Sequence, residues 1–139
     1  MVQLVRHPPS VALVVLDGNE LVAVRQSRPG PGATTLELPS GKIEPGETPV
    51  AAAARELAEE CALAAQKLRP LGTFWAAPAY STELVHVFEA KVLTEVDRLP
   101  LDADEDIEVE RLPLEAALGR LSDAGSVAAL ALWLAEEYR

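Results

Sequence analysis

The order of strand and helix signals constrains the fold more than any other feature of this sequence. Valine-rich apolar runs at residues 10–16 and 83–93 are typical of β-strands, whereas residues 48–61 have the apolar spacing of an α-helix. Two further helices are predicted at residues 114–121 and 126–138, and no regular β-α-β alternation joins the segments. This order predicts an α/β (α+β) fold in which helices pack on a mixed β-sheet.

Turn signals divide the rest of the chain. The sequence Asp-Gly-Asn at residues 17–19 predicts a hairpin between residues 10–16 and 20–25. Thr48 followed by Pro49 is typical of an N-cap and the first residue of a helix. The remaining predictions are loops at residues 27–35, 39–46, 76–81 and 100–106, and strands at residues 36–38, 67–75 and 107–112.

Length, composition and charge narrow the class of protein. The chain has 139 residues, so residues 1–139 are expected to form a single domain, and 49% hydrophobic with 24% charged residues is a globular composition. A formal net charge of −10 argues against nucleic-acid binding, although a divalent cation can still bridge clustered carboxylates to a small phosphorylated ligand. No stretch approaches the roughly 18 uninterrupted apolar residues of a membrane span. With a lone Cys61 and no signal-peptide core, we expect a cytoplasmic protein.

Three glutamates share one side of the predicted central helix. On a helical wheel Glu56, Glu59 and Glu60 fall on an arc of about 100°, away from an apolar stripe that is expected to face the core. The stripe consists of Val50, Ala54, Leu57 and Cys61. Like charges one turn apart oppose helix formation. The grouping therefore indicates either a solvated acidic face or the binding of a hard cation, which prefers carboxylate oxygens.

A glycine- and proline-shaped loop leads directly into this helix. It contains Gly41 and Gly46, and it can bring a backbone carbonyl and Glu47 to the same cation as the helix glutamates. Arg55 lies one turn before Glu59 and two turns after Glu47, so it can pair with either acid and hold it in place.

These residues stand at the spacing of the Nudix box, and the sequence resembles the Nudix hydrolase family. The matching positions are Gly41, Glu47, Arg55, Glu56, Leu57, Glu59, Glu60 and Leu63. One position departs from the box pattern: Ala62 stands where the box has the glycine that ends its helix. Alanine there costs about 1 kcal/mol if the left-handed turn is kept, or else the turn differs.

The resemblance implies a fold, a reaction and a set of roles. It implies a Nudix α/β/α sandwich that hydrolyses a nucleoside diphosphate linked to another moiety, with Mg²⁺ or Mn²⁺ as cofactor. The implied metal ligands are Glu56, Glu60, Glu59 and the Ser40 carbonyl, with Glu59 alternatively holding the metal-bound water. Glu47 and Arg55 are the implied orienting pair, and Gly41 permits the loop.

Segments that extend beyond the box resemble the ADP-ribose pyrophosphatase branch of that family. They lie at residues 22–30, 36–47, 77–93, 102–117 and 126–138, and they include Pro78 near the marker proline of the branch. The implied reaction converts ADP-ribose to AMP and ribose 5-phosphate. Nucleotide sugars, dinucleoside polyphosphates and oxidised nucleotides remain alternative substrates, and a non-catalytic nucleotide-binding module remains an alternative function.

Four residues are candidates for contacting the substrate, and each has a structural explanation as well. Arg25 and Arg28 flank a Pro/Gly loop and can clamp phosphates or form surface ion pairs. Trp75 can stack on adenine or belong to the core, and Pro78 can simply end a strand.

The resemblance also implies a base and an assembly. In the resembling branch a glutamate of an acidic loop deprotonates the attacking water, and Glu105 is the glutamate of the equivalent loop here, with Asp104 and Asp106 as second choices. The branch builds its pocket across two subunits, so we expect a homodimer. The apolar segments at residues 11–16 and 84–92 offer strands that could pair or pack between the chains.

Overall fold

The computed structural model describes residues 3–98, 100–101 and 106–138. The strands are β1 Ser10–Asp17, β2 Glu20–Arg28, β3 Ala33–Glu37, β4 Ser40–Lys42, β5 Leu63–Trp75, β6 Leu84–Glu95 and β7 Ile107–Pro113. The α-helices are α1 Pro49–Cys61, α2 Ala117–Arg120 and α3 Ala124–Glu137, and a 3₁₀ turn spans Leu114–Ala116.

Strand β1 is the centre of a mixed sheet. It pairs in parallel with β6 on one side and antiparallel with β2 and β4 on the other. Strand β5 extends the sheet beyond β6, and β3 and β7 both pair with β2. The predicted mixed sheet is therefore confirmed.

Two hydrophobic cores cover the two faces of this sheet. Val11, Leu13 and Val15 of β1 point towards α1, and the alternate residues Val14 and Leu16 point towards α3. Because helices cover both faces, β1 is a continuous apolar run rather than an alternating one. The arrangement is the predicted α/β/α sandwich.

The expected pairing of strands between two chains is wrong. Strand β1 lies between β2, β4 and β6, and β6 lies between β1 and β5, so the backbone groups of both strands bond within the chain. The side chains of β1 are buried as well, except for that of Asp17 at its end.

Several predicted boundaries also differ. The loop predicted at residues 27–35 shrinks to residues 29–32, because backbone pairing of Ser27 with Thr34 and Arg28 with Ala33 continues the hairpin through polar residues. The loop predicted at residues 39–46 contains the short strand β4. The helix predicted at residues 114–121 divides into the 3₁₀ turn and α2.

Helix α1 begins as predicted but is rotated about its axis. Thr48 Oγ1 accepts a hydrogen bond from the Ala51 amide at 3.2 Å, and Pro49 is the first helical residue. Val50 and Ala54 of the expected apolar stripe are exposed. The small Ala52 and Ala53 and the carboxylates Glu56 and Glu60 are buried instead. The helix therefore turns its acidic side inwards.

Ala62 ends α1 in the conformation that glycine favours. Its φ of 54° and ψ of 41° are left-handed, and its amide donates to the carbonyls of Ala58 and Leu57. The turn is kept, and the alanine bears the conformational strain.

Ala62→Gly should therefore raise the free energy of unfolding by about 1 kcal/mol, because glycine adopts this conformation without a β-carbon clash. The matched control is Ala54→Gly, the same change on an exposed helical position, which should lower that free energy by about 1 kcal/mol. Urea denaturation measures both variants. Two changes of the same sign would contradict the strain at Ala62.

Helix α3 is fixed to its face of the sheet by a buried carboxylate. Glu89 of β6 is 5% exposed and accepts a hydrogen bond from Trp133 Nε1 at 2.7 Å. Arg69 Nη2 donates to the same carboxylate at 3.1 Å. Burial alone would raise the pKa of Glu89, but the hydrogen bonds from Arg69 and Trp133 outweigh it and the pKa lies below its usual value.

None of the helices in the described residues has the length and apolarity needed to cross a bilayer.

Candidate active site

Several of the residues singled out from the sequence meet at a cavity of about 740 Å³. Helix α1, β4, the ends of β1 and β2, and the start of α3 contribute to its walls. Its charged lining includes Arg28, Glu37, Lys42, Glu44, Arg55, Glu56, Glu59, Glu60, Glu83 and Asp123. A more apolar cavity of about 590 Å³ near Leu118 and Tyr138 contains none of the box residues. The charged cavity is therefore the candidate site.

Arg55 joins the loop before α1 to the acidic side of that helix. Its Nε and Nη2 donate to the two carboxylate oxygens of Glu47 at 2.8 and 2.9 Å. Nη2 also donates to the Lys42 carbonyl at 2.9 Å. Nη1 donates to Glu56 at 2.8 Å and to Glu59 at 3.2 Å. One guanidinium thus fixes the loop and two of the three clustered glutamates.

This pairing shifts the acidity of both partners. The hydrogen bond from Arg55 lowers the pKa of Glu47 to about 2. The hydrogen bond to Glu47 and the charges of Glu56 and Glu59 raise the pKa of Arg55 in turn. Glu47 and Arg55 are therefore a permanent ion pair at neutral pH.

Gly41 is required by a close approach. A β-carbon at this position would overlap the carboxylate of Glu56. Glu56 is itself buried, so it has little room to retreat. The glycine therefore allows the β4 backbone to pack directly against a carboxylate of α1.

Glu60 is the most buried of the three helix glutamates, at 2% exposure. Its Oε1 accepts a hydrogen bond from the Ser40 amide at 2.8 Å. The contact therefore joins Glu60 to the amide of Ser40, whereas the resemblance implied a role for the carbonyl. Both residues line the cavity.

The donor atoms suit a hard divalent cation. Glu56, Glu59 and Glu60 bring carboxylate oxygens to the wall of one cavity, and such oxygens are the preferred ligands of Mg²⁺ and Mn²⁺. In the described part of the chain no three acidic, histidine or cysteine side chains converge as a ready-made metal cluster. Nη1 of Arg55 lies between Glu56 and Glu59. The chemistry of the ligand set fits the cation, and Arg55 holds two of its three carboxylates in place.

The two candidate arginines of β2 face different surroundings. Arg28 lines the cavity and donates to Glu37 through Nε at 2.8 Å and Nη2 at 2.9 Å. Arg25 does not line it, and its Nη2 lies 3.3 Å from Glu110. The odd spacing between the two positions places them on opposite faces of the strand.

The other candidates lie away from the cavity or outside the described residues. Trp75 and Pro78 are exposed, and neither borders the cavity. Gly46 forms an exposed turn with a φ of +80°. Glu105 and Asp104 lie outside the described residues, and Asp106 is exposed.

Several polar residues that line the cavity were not singled out from the sequence. They include Ser10, Glu37, Glu83 and Asp123. Ser10 Oγ donates to Glu83 Oε2 at 2.6 Å. Glu37 and Glu83 lay within segments that carried the resemblance to the branch, but nothing in their own spacing pointed to the cavity.

Comparisons with known proteins agree with this geometry. The NUDIX domain model matches residues 6–132, and the chain belongs to that family. The ADP-ribose pyrophosphatase of Bacillus subtilis (strain 168) is 41% identical over 118 residues, which cover 84% of this chain and 64% of that protein. The methanol dehydrogenase activator of Bacillus methanolicus is 35% identical over 118 residues, with the same two coverages. The crystal structure of an ADP compounds hydrolase matches with a TM-score of 0.83 at 29% identity, covering 93% of this chain and 74% of that one.

The predicted resemblance to the Nudix family is thus confirmed. The chain spans 64% of the length of these two relatives.

Replacing Arg55 should return the pKa of Glu47 towards the ordinary glutamate value of about 4.3, because the hydrogen bond from Arg55 is the main cause of its depression. NMR titration of the side-chain carboxyls should give a midpoint of about 2 in the wild type and a higher one in Arg55→Gln. Since the folded pKa is depressed, the stabilisation by this pair is present above the ordinary pKa and is lost as the pH falls towards 2. Glu37, whose partner is Arg28, serves as the internal control. An unmoved Glu47 midpoint in the variant would rule out the pairing.

Proposed function

We propose that this chain is a Nudix pyrophosphohydrolase that cleaves the pyrophosphate linkage of ADP-ribose, giving AMP and ribose 5-phosphate. Water is the second substrate, and one P–O bond of the pyrophosphate breaks for each P–O bond formed. The observation that carries the proposal is the Arg55-centred cluster of glutamates on the wall of an open cavity. The 41% identity to an ADP-ribose pyrophosphatase supports the choice of substrate.

In this proposal one group of residues binds the cation and another fixes the loop and the helix that carry those ligands. Glu56, Glu60 and Glu59, with the Ser40 carbonyl, would hold the cation. Mg²⁺ or Mn²⁺, when bound, neutralises pyrophosphate charge and lowers the pKa of an attacking water. Glu47 and Arg55 orient the loop and the helix, since Arg55 already contacts Glu47, Glu56 and Glu59.

The proposal also assigns a phosphate contact and a base for the attacking water. Arg28 lines the cavity and is the arginine of β2 positioned to contact a phosphate. Glu105 is proposed as the base for the attacking water, with Asp104 and Asp106 behind it, on the strength of the family resemblance. Arg25, Trp75 and Pro78 would reach the substrate only from another position or another subunit.

The oligomeric state and the cellular location are also part of the proposal. We propose a cytoplasmic enzyme, with residues 1–139 as one domain, that assembles as a homodimer through surfaces other than β1 and β6. The exposed Trp75 and Tyr80, beside the bridge between Val5 and Ser81, offer such a surface.

The purified protein should release AMP and ribose 5-phosphate from ADP-ribose in a Mg²⁺-dependent manner. A panel of nucleotide sugars, dinucleoside polyphosphates, oxidised nucleotides and nucleoside triphosphates, compared by kcat/KM, tests the choice of substrate. If a triphosphate or a nucleotide sugar is turned over much faster than ADP-ribose, the substrate is wrong although the enzyme class stands. If nothing is hydrolysed and ADP-ribose still binds, the chain is a non-catalytic nucleotide-binding module.

Glu60→Gln should lower kcat by at least about a hundredfold at saturating Mg²⁺, because the variant loses one carboxylate ligand. The fold should persist, since the glutamine oxygen can still accept the hydrogen bond from the Ser40 amide. Thermal unfolding checks the fold and an activity assay checks kcat. The matched control is Glu95→Gln, the same change at an exposed position at the end of β6, which should leave kcat unchanged. Turnover of Glu60→Gln near the wild-type rate would refute the role of Glu60.

A further inference from the structure

A buried carboxylate on the cavity wall has no role in the proposed reaction. Glu37 is the last residue of β3, and it is 6% exposed. Its Oε2 accepts a hydrogen bond from Thr35 Oγ1 at 2.5 Å and another from Arg28 Nε at 2.8 Å. Its Oε1 accepts from Arg28 Nη2 at 2.9 Å. Burying a charge is costly unless it is paired, and here the pairing is the planar two-pronged contact that arginine makes best.

The backbone on either side of Glu37 is fixed by the segment that starts α3. The amide of Leu36 donates to Ser122 Oγ at 3.0 Å, and the Leu36 carbonyl accepts from the Ser122 amide at 3.0 Å. The amide of Leu38 donates to Ser126 Oγ at 2.8 Å. Glu37 therefore stands on a backbone whose two neighbouring residues are both held, and its carboxylate has a defined position.

Arg28 is the arginine of the cavity with capacity left for a ligand. Every nitrogen of the Arg55 guanidinium donates to a protein oxygen. Arg28 uses Nε and Nη2 on Glu37, and Nη1 has no acceptor among the described residues. Its side chain is 41% exposed, so this nitrogen has access to the cavity. The hydrogen bond to Glu37 is the main cause that raises the pKa of Arg28, and the charges of Glu60 and Asp123 add to the shift.

We propose that Glu37 is a positioning residue that holds the Arg28 guanidinium over the cavity, so that Nη1 binds the diphosphate of the substrate opposite the box glutamates. The inference rests on the proposed function, because it assigns Arg28 a nucleoside diphosphate as ligand. An arginine side chain loses conformational entropy when it binds, and a fixed partner removes that cost before the substrate arrives.

The same pair could instead serve stability alone, and the kinetics separate the two roles. A contact made equally in the ground state and the transition state affects KM and leaves kcat unchanged. A purely structural pair would change thermal stability but neither constant in the folded fraction. The carboxylate also partly neutralises Arg28, so the positioning role requires that the gain from orientation exceed the loss of net charge.

The experiment is a double-mutant cycle of Glu37→Gln, Arg28→Ala and the double variant, assayed with ADP-ribose at saturating Mg²⁺. Glu37→Gln should raise KM about tenfold with kcat nearly unchanged, because the Arg28 guanidinium loses the charged partner that holds its two nitrogens. In the Arg28→Ala background the same change should have no further effect on KM. The matched control is Glu110→Gln, which disrupts the Arg25–Glu110 pair outside the cavity and should leave both constants unchanged.

A second variant covers the case in which Glu37→Gln does not fold. Thr35→Val removes the hydroxyl that holds Glu37 while keeping a β-branched residue in the strand, and it should raise KM in the same direction. Wild-type KM in Glu37→Gln or in a folded Thr35→Val overturns the proposal. So does an effect of Glu37→Gln that adds fully to that of Arg28→Ala.

A binding measurement separates failure of this inference from failure of the proposed function. The affinity for ADP, measured by isothermal titration calorimetry, needs no turnover. If the wild type binds ADP but does not hydrolyse ADP-ribose, the proposed reaction is wrong, and the same cycle in ADP affinity decides the role of Glu37. If the wild type does not bind ADP, Arg28 has no diphosphate to contact and the inference fails.

Discussion

The five hydrogen bonds of Arg55 are the interaction on which the candidate site depends. Three carboxylates grouped on one side of a helix repel one another, and burial makes that repulsion stronger. A single delocalised cation that contacts Glu47, Glu56 and Glu59 at once relieves it and also ties the preceding loop to the helix. Lysine could not do the same, since it lacks the planar fork that lets one side chain serve separate acceptors in fixed directions.

Much of this architecture could be predicted because its causes are local. The start of α1 at Thr48 and Pro49, the hairpin between β1 and β2, and the buried character of β1 each follow from a few neighbouring residues. What could not be predicted depends on contacts distant in sequence. The polar end of the β2–β3 hairpin forms through backbone pairing that side chains do not signal. The rotation of α1 arises because Ala52 and Ala53 pack closely and Glu56 meets the β4 backbone at Gly41.

The candidate site also has one part that could be predicted from local spacing and another part that could not. The spacing from Gly41 to Leu63 was sufficient to bring Glu47, Arg55 and the helix glutamates together, since helical periodicity and a short loop determine their distances. The arginines of β2 could not be distinguished in this way. Arg25 and Arg28 flank the same turn, and only the register of β2 decides that one faces Glu37 in the cavity and the other faces Glu110 outside it. A shift of one residue in that register would exchange the faces of the whole strand.

The two glycine positions of the box show which kinds of constraint a sequence can relax. At position 41 the constraint is steric: a β-carbon would occupy the space of the Glu56 carboxylate, which is buried and hydrogen-bonded to Arg55, so the Glu56 side chain would have to move. At position 62 the constraint is conformational: the chain must be left-handed, and alanine tolerates this at a cost of about 1 kcal/mol. A folded protein can offset that smaller cost elsewhere, whereas an atomic overlap inside the site would displace a glutamate of the cluster itself. The departure from the family pattern at Ala62 is therefore compatible with an intact arrangement of Glu56, Glu59 and Glu60.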